Sequence, residues 1–198
     1  ENMRVLDILS NASAVIAEGE VLQLTAAQNL ATDESVYMQV IRGKTAALFS
    51  AATESGAVIA GASEASVAAL FAYGEALGIC FQIVDDYLDY GGAGDSIGKN
   101  LGDDFRERKL TLPVIRAVAQ ADAPERAFWE RVIARGQQEA GDLEQAIDIL
   151  KRHGTLESTR ATARDWAQTA RNALETLPDH PLRAMLADLA GYVVARVN

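Results

Sequence analysis

Apolar residues recur at helical spacing through most of the chain, and breaks in that spacing divide it into segments. The first helix is predicted over 5–28, with Leu6, Leu9, Ile16, Val21 and Leu24 on the pattern and Glu18-Gly19-Glu20 interrupting it. Thr32-Asp33-Glu34-Ser35 offers a side-chain cap and first-turn acids, so the next helix is predicted from there to about 56, with 57–62 as its apolar end. A third helix is expected over 65–90, and the glycine-rich, charged stretch 91–109 has no periodicity and is expected as loop. Shorter helices follow over 112–119, 123–141, 143–153, 156–177 and 181–197. Pro113 is tolerable only in a first turn, and Gly154 and Pro178-Asp179-His180-Pro181 separate the last three. With no alternating strand pattern, fixed-period repeat or linker, the expected fold class is all-α: one domain over 1–198, one layer of antiparallel helices around another.

Composition narrows the function. Of the 198 residues 49% are hydrophobic and 6% aromatic, which suits one domain with a sizeable core. A net charge of −10 leaves no basic stripe to neutralise a phosphate backbone, so no nucleic-acid partner is expected. The single cysteine, Cys80, lies in an apolar run and reads as a packed thiol; it excludes an internal disulfide framework and fits a reducing, cytoplasmic location. No uninterrupted apolar run of about 18 residues appears, so no transmembrane segment is expected. The opening Glu1-Asn2-Met3-Arg4 resembles neither a signal peptide nor a natural start, and the chain is expected to be a truncated one.

The chemistry concentrates in Phe81-Gln82-Ile83-Val84-Asp85-Asp86-Tyr87-Leu88-Asp89-Tyr90. On a helix Gln82, Asp85, Asp86 and Asp89 fall within about 100° of arc. No cation stands three or four residues from these carboxylates, so they repel one another unless a wet surface or a hard divalent cation accepts them. The preceding Ala76-Leu77-Gly78-Ile79-Cys80 is too apolar for an exposed helix, which favours a site. Of only four lysines against fourteen arginines, Lys44, Lys99 and Lys109 lie in segments able to converge on the aspartates. Carboxylates, lysines and a glycine-rich loop form the composition of a magnesium–diphosphate site, because Mg²⁺ is commonly held by one or two carboxylates together with substrate phosphates.

Other features carry less. Gly98-Lys99 is not a P-loop: Ala93 stands where the first glycine belongs, Asn100 follows, and a helix precedes. Asp103-Asp104-Phe105-Arg106-Glu107 imitates a second acidic motif but sits beside three basic residues. His153 and His180 lack metal-ligand spacing and read as caps at helix ends, and Trp129 and Trp166 read as core.

With these residues in view, the chain resembles the trans-isoprenyl diphosphate synthases, most nearly the octaprenyl- and decaprenyl-type branch. The stretch from Phe81 to Tyr90 is similar to that family's second aspartate-rich motif. Gly43-Lys44-Thr45, Gly98-Lys99, Gly102-Asp103 and Lys109-Leu110-Thr111-Leu112-Pro113 follow its other C-terminal signatures in order. Glu18-Gly19-Glu20 with Gln23, and the tail from Gly154 to Arg196, also match. The resemblance implies an isoprenoid synthase-type helical bundle lacking its N-terminal helices, and condensation of isopentenyl diphosphate with an allylic diphosphate through an Mg²⁺-assisted allylic carbocation. By resemblance Asp85 is a direct Mg²⁺ ligand, Asp86 and Asp89 support the metal shell, and Asp103 joins them. Lys44 and Lys99 would grip the allylic diphosphate with Lys109 nearby, while Thr45 and Gln82 would line the cation's pocket.

The family's first aspartate-rich motif, its arginine pair and its glycine-lysine-arginine segment are absent from these 198 residues, so the chain alone is expected to be inactive. The resemblance further implies a homodimer through helices matching about 1–55, and peripheral membrane contact for product release. An alternative is a non-catalytic regulatory subunit of a heteromeric prenyl synthase, against which the retained Lys44, Gln82, Asp85, Asp86, Asp89 and Lys99 weigh. Another class I terpenoid enzyme would lack the Gly-Lys-Thr and Lys-x-Thr-Leu-Pro combination.

Overall fold

The central element is the helix that carries the aspartates. The computed structural model describes residues 2–91 and 101–197, and among them the regular structure is helical throughout. In chain order the helices are α1 Met3–Ala26, α2 Glu34–Ile41, α3 Ala47–Ile59, α4 Glu64–Gly91, α5 Asp103–Arg106, α6 Leu112–Gln120, α7 Ala123–Trp129, α8 Asp142–Arg152, α9 Thr155–Ala173 and α10 Pro181–Ala195.

The 28-residue α4 packs between α3 and α9, with α6 and α10 also against it. Its Leu77, Ile79, Cys80, Ile83 and Val84 are all buried, while Phe81 and Gln82 between them are half-buried. Fully burying each such aliphatic side chain is worth roughly 1.5–3 kcal/mol. By length and composition α4 could cross a membrane, contrary to the sequence expectation; but 56% of its most apolar 18-residue window is buried inside the bundle, as in a core helix. Cys80 is a packed thiol, as expected: it donates to the Ala163 carbonyl at 3.3 Å, and burial pushes it up to about 12. A second core joins α6, α7 and α8 around the fully buried Trp129, Val132, Ile133 and Leu150.

Half of the starts follow the capping chemistry. The Asp33 side chain accepts from Val36 N–H at 3.0 Å, and His180 Nδ1 accepts from Leu182 N–H at 3.1 Å. His153 ends α8, but its ring also meets Glu125 of α7 at 2.7 Å, a bridge between helices that position alone did not reveal. Trp166 is half-buried rather than core, with the Arg42 guanidinium 5.8 Å over its ring.

Three boundaries depart from expectation. The helix predicted over 32–56 is interrupted by a π-helical turn, Arg42–Ala46. Part of the stretch expected as loop forms α5. The helix predicted over 123–141 ends sooner, passing through a second π turn, Glu130–Ala134, before Gly136 takes a φ of +66°. A wider turn is invisible to a periodicity count because it inserts one residue without changing polarity.

Glycines set how closely the layers approach. A Cβ on Gly78 would lie 2.6 Å from Ala46 Cα, whereas one on the exposed Gly56 of α3 would meet nothing within 4 Å. Both positions are helical, where alanine is intrinsically favoured by up to about 1 kcal/mol. Gly56→Ala is therefore expected to stabilise the protein by about 0.5–1 kcal/mol, and Gly78→Ala to destabilise it by about 1–3 kcal/mol through overpacking. Urea unfolding of the two variants checks the opposite signs.

Candidate functional site

The aspartate face of α4 looks onto a cavity of about 210 Å³. Its wall includes Gln82, Asp85 and Asp86 from α4, Gln23 from α1, Tyr37 from α2, Lys44 from the π turn, and Asp104 and Lys109 from the α5 segment.

The α4 carboxylates have different surroundings. Asp86, 3% exposed, accepts from the Tyr37 hydroxyl at 2.6 Å and from Gln82 Nε2 at 2.8 Å, one donor on each oxygen. Burial pushes its pKa up to about 7, aided by Asp104 and Asp85 and opposed by the two hydrogen bonds. Burial raises Tyr37 well above the ordinary phenol value, so it stays an O–H donor. Asp89 accepts from the backbone N–H groups of Asp103 and Asp104, both at 3.0 Å, and its own carbonyl accepts from Gly102 N–H at 2.8 Å. Burial raises Asp89 to about 6. Asp89 thus fastens the start of α5 to α4. Asp85 is half-buried on the cavity wall.

The lysines arrive by separate routes. Lys44 reaches Gln23 Oε1 at 2.7 Å and Glu20 at 3.3 Å. That placement depends on a close helix contact: a Cβ on Gly19 would lie 2.5 Å from the Lys44 backbone nitrogen. Lys109 lies 3.1 Å from Asp104 and 2.6 Å from Glu107. Burial works to lower its pKa, but these two acids outweigh it and raise it, so the ammonium remains charged. Thr45 is not on the cavity wall; its hydroxyl donates to Gln82 Oε1 at 2.8 Å and holds that amide from behind. Lys99 lies outside the described residues.

Of the two neighbouring acids, Asp104 lies on the wall, whereas the Asp103 carboxylate takes Arg106 at 2.8 Å and stands half-exposed. The cause is the left-handed Gly102, φ +82°, where a Cβ would strike Leu143 at 2.5 Å; the turn it makes directs the following N–H groups at Asp89. Sequence reasoning passed over Asp104 because of the adjacent bases, and over Tyr37 because a tyrosine on an apolar helix face reads as core. Among the described residues no three His, Cys, Asp or Glu side chains converge as a preformed metal site. The oxygen donors and adjacent lysines fit a hard cation that arrives with a phosphate-bearing ligand, completing its shell with phosphate and water.

A bundle whose central helix presents aspartates to lysines from neighbouring segments has the fold of the all-helical prenyl synthases. The model superposes on a decaprenyl diphosphate synthase from Rhodobacter capsulatus with a TM-score of 0.95 and 70% identity, over 100% of this chain and 61% of that one. It superposes on a polyprenyl synthase from Caulobacter crescentus, complexed with calcium and isoprenyl diphosphate, with a TM-score of 0.94 and 46% identity, over 100% of this chain and 60% of that one. The chain belongs to the polyprenyl synthetase family, whose model matches residues 1–150. It is 40% identical over 195 residues to octaprenyl diphosphate synthase of Escherichia coli, matching 98% of this chain and 60% of the relative. Against the Haemophilus influenzae octaprenyl diphosphate synthase the identity is 38%, over 99% of this chain and 59% of the relative, so the chain spans about three-fifths of the curated relatives it matches.

The raised carboxylates predict a pH dependence. An acid whose pKa is higher folded than unfolded stabilises the fold while protonated; that contribution is fully present below about 4 and is lost as pH rises through about 6 for Asp89 and about 7 for Asp86. The melting temperature is expected to fall by a few degrees between pH 5 and pH 8, and Asp86→Asn is expected to flatten that fall. Circular dichroism melts at the two pH values check it, and an unchanged slope in the variant would contradict the assignment.

Proposed function

We propose that this chain carries the allylic-diphosphate side of a prenyl-transfer site, for condensation of isopentenyl diphosphate with an allylic diphosphate to a polyprenyl diphosphate. The observation that carries the reading is the apposition, around one cavity, of Asp85 and Asp104 with Lys44 and Lys109. Such a set suits a diphosphate: the lysines take phosphate oxygens directly, and the carboxylates take them through a shared divalent cation. The calcium and isoprenyl diphosphate bound by the Caulobacter crescentus relative support the same ligand class.

The barrier to allylic ionisation is charge separation, so positive charge around the departing diphosphate is the main requirement. Lys44 and Lys109 supply part of it. Asp85 and Asp104 would hold Mg²⁺, which, when bound, supplies further positive charge to the diphosphate oxygens. Asp86 and Asp89, each accepting one hydrogen bond on either carboxylate oxygen, act as supports for that wall. The Gln82 amide and the ionised Asp86 carboxylate, both on the wall, favour positive charge on the allylic carbons beside them. After the isopentenyl double bond attacks, a proton leaves to the departing diphosphate.

The chain on its own is proposed to bind diphosphate without elongating, because the first aspartate-rich motif, the arginine pair and the glycine-lysine-arginine segment are not among these 198 residues. A homodimer along α1 fits the exposed Met3, Leu6, Leu9, Val21 and Leu24 of that helix.

Calorimetric titration with inorganic diphosphate in the presence of Mn²⁺ tests the reading. Binding is expected in the unmodified chain, with Asp85→Ala and Lys44→Ala each weakening it roughly ten- to hundredfold, the scale of a lost charge-assisted contact of about 1.5–3 kcal/mol. Arg152→Ala, whose guanidinium lies on Glu125, should leave it unchanged. An effect below twofold in both site variants would sink the assignment. Elongation of labelled isopentenyl diphosphate by this chain alone would overturn the proposed lack of turnover.

A further inference from the structure

A chain of hydrogen bonds links α2, the π turn and α4 along the cavity wall. The Tyr37 hydroxyl donates to Asp86 Oδ2 at 2.6 Å, Gln82 Nε2 donates to Asp86 Oδ1 at 2.8 Å, and Thr45 Oγ1 donates to Gln82 Oε1 at 2.8 Å. Each bond fixes the sense of the next. A carboxylate only accepts, so the Tyr37 phenol and the Gln82 amide nitrogen both donate to it, and the amide oxygen is left to Thr45. Without Tyr37, Asp86 is anchored through one oxygen only and rotates more freely about its terminal torsion, which is a soft one, so the Gln82 amide loses a fixed partner.

We infer that Tyr37 is a positioning residue that, through Asp86, fixes the orientation of the Gln82 amide facing the allylic group. The inference rests on the prenyl-transfer reading above. Tyr37 is itself seated rigidly: it is 4% exposed, and the start of α2 is clamped to α6 by Arg116, which donates to both Glu34 oxygens at 3.0 and 2.9 Å. Neither lysine of the cavity touches Tyr37: Lys44 pairs with Gln23 and Glu20, and Lys109 with Asp104 and Glu107. Removing the hydroxyl should therefore disturb recognition of the allylic group and spare recognition of the diphosphate.

The test is Tyr37→Phe in the full chain, which keeps the buried ring, with two readouts. The first is the Gln82 side-chain amide in a nitrogen-15 correlation spectrum, assigned by its disappearance in Gln82→Glu. The variant is expected to shift that resonance and speed its exchange with water, and the unmodified chain to show a slowly exchanging Tyr37 hydroxyl proton. The second is the affinity, with Mn²⁺, for inorganic diphosphate and for a non-ionising allylic thiodiphosphate. The variant is expected to bind diphosphate within twofold of the unmodified chain and the allylic analogue about fivefold more weakly. An unmoved Gln82 resonance, a freely exchanging Tyr37 hydroxyl, or equal weakening of both ligands would overturn the inference. If the unmodified chain binds neither ligand, the prenyl-transfer reading fails, and the amide signature still decides whether Tyr37 sets Gln82.

Discussion

Two carboxylates buried in the central apolar helix are the constraint to which the surrounding structure answers. Asp86 and Asp89 cannot remain in the bundle without partners, because a buried polar group left without hydrogen bonds costs several times what a made bond contributes. Each has two donors, from different places. Asp86 draws on a phenol from α2 and an amide one turn back on its own helix, while Asp89 draws on two backbone N–H groups at the start of α5. These partners fix where α2 and α5 lie against α4. Asp104 and Lys109 come to the cavity as part of the same arrangement.

Backbone proximity sets the rest. Gly19 lets α1 approach the π turn until its missing side chain would collide with the Lys44 backbone, and Gly78 does the same for α4 against Ala46. The π turn therefore sits between two helices that touch it through backbone. Within it Lys44 turns to the cavity and Thr45 to Gln82. Wider turns of this kind recur at functional sites because one inserted residue re-aims side chains without ending the helix.

Much of this was legible beforehand. Periodicity found the long helices, since an amphipathic or fully buried segment repeats its polarity over many turns, and Gly154 and the Pro178–Pro181 stretch divided the last three. The stretch from Gln82 to Asp89 announced itself because carboxylates in an apolar run have no ordinary structural reason to be there. Other features left no such mark. A π turn has no polarity signature. The choice of Asp104 over Asp103 follows from a left-handed glycine and a backbone donor, neither of which is a side-chain property. Tyr37 reads as any core aromatic until its hydroxyl is seen against Asp86.

In the function proposed above, the α4 wall and the two lysines together form a diphosphate-bound cation site, with Asp85 turned to the ion and Asp86 held by Tyr37 and Gln82. Anomalous diffraction from a crystal of the chain grown with Mn²⁺ and diphosphate tests it most directly. A manganese peak beside Asp85, with the diphosphate between it and Lys44, is the predicted result. A peak bound by Asp86 with the Tyr37 contact broken, or no peak in the cavity at saturating concentrations, would contradict the account.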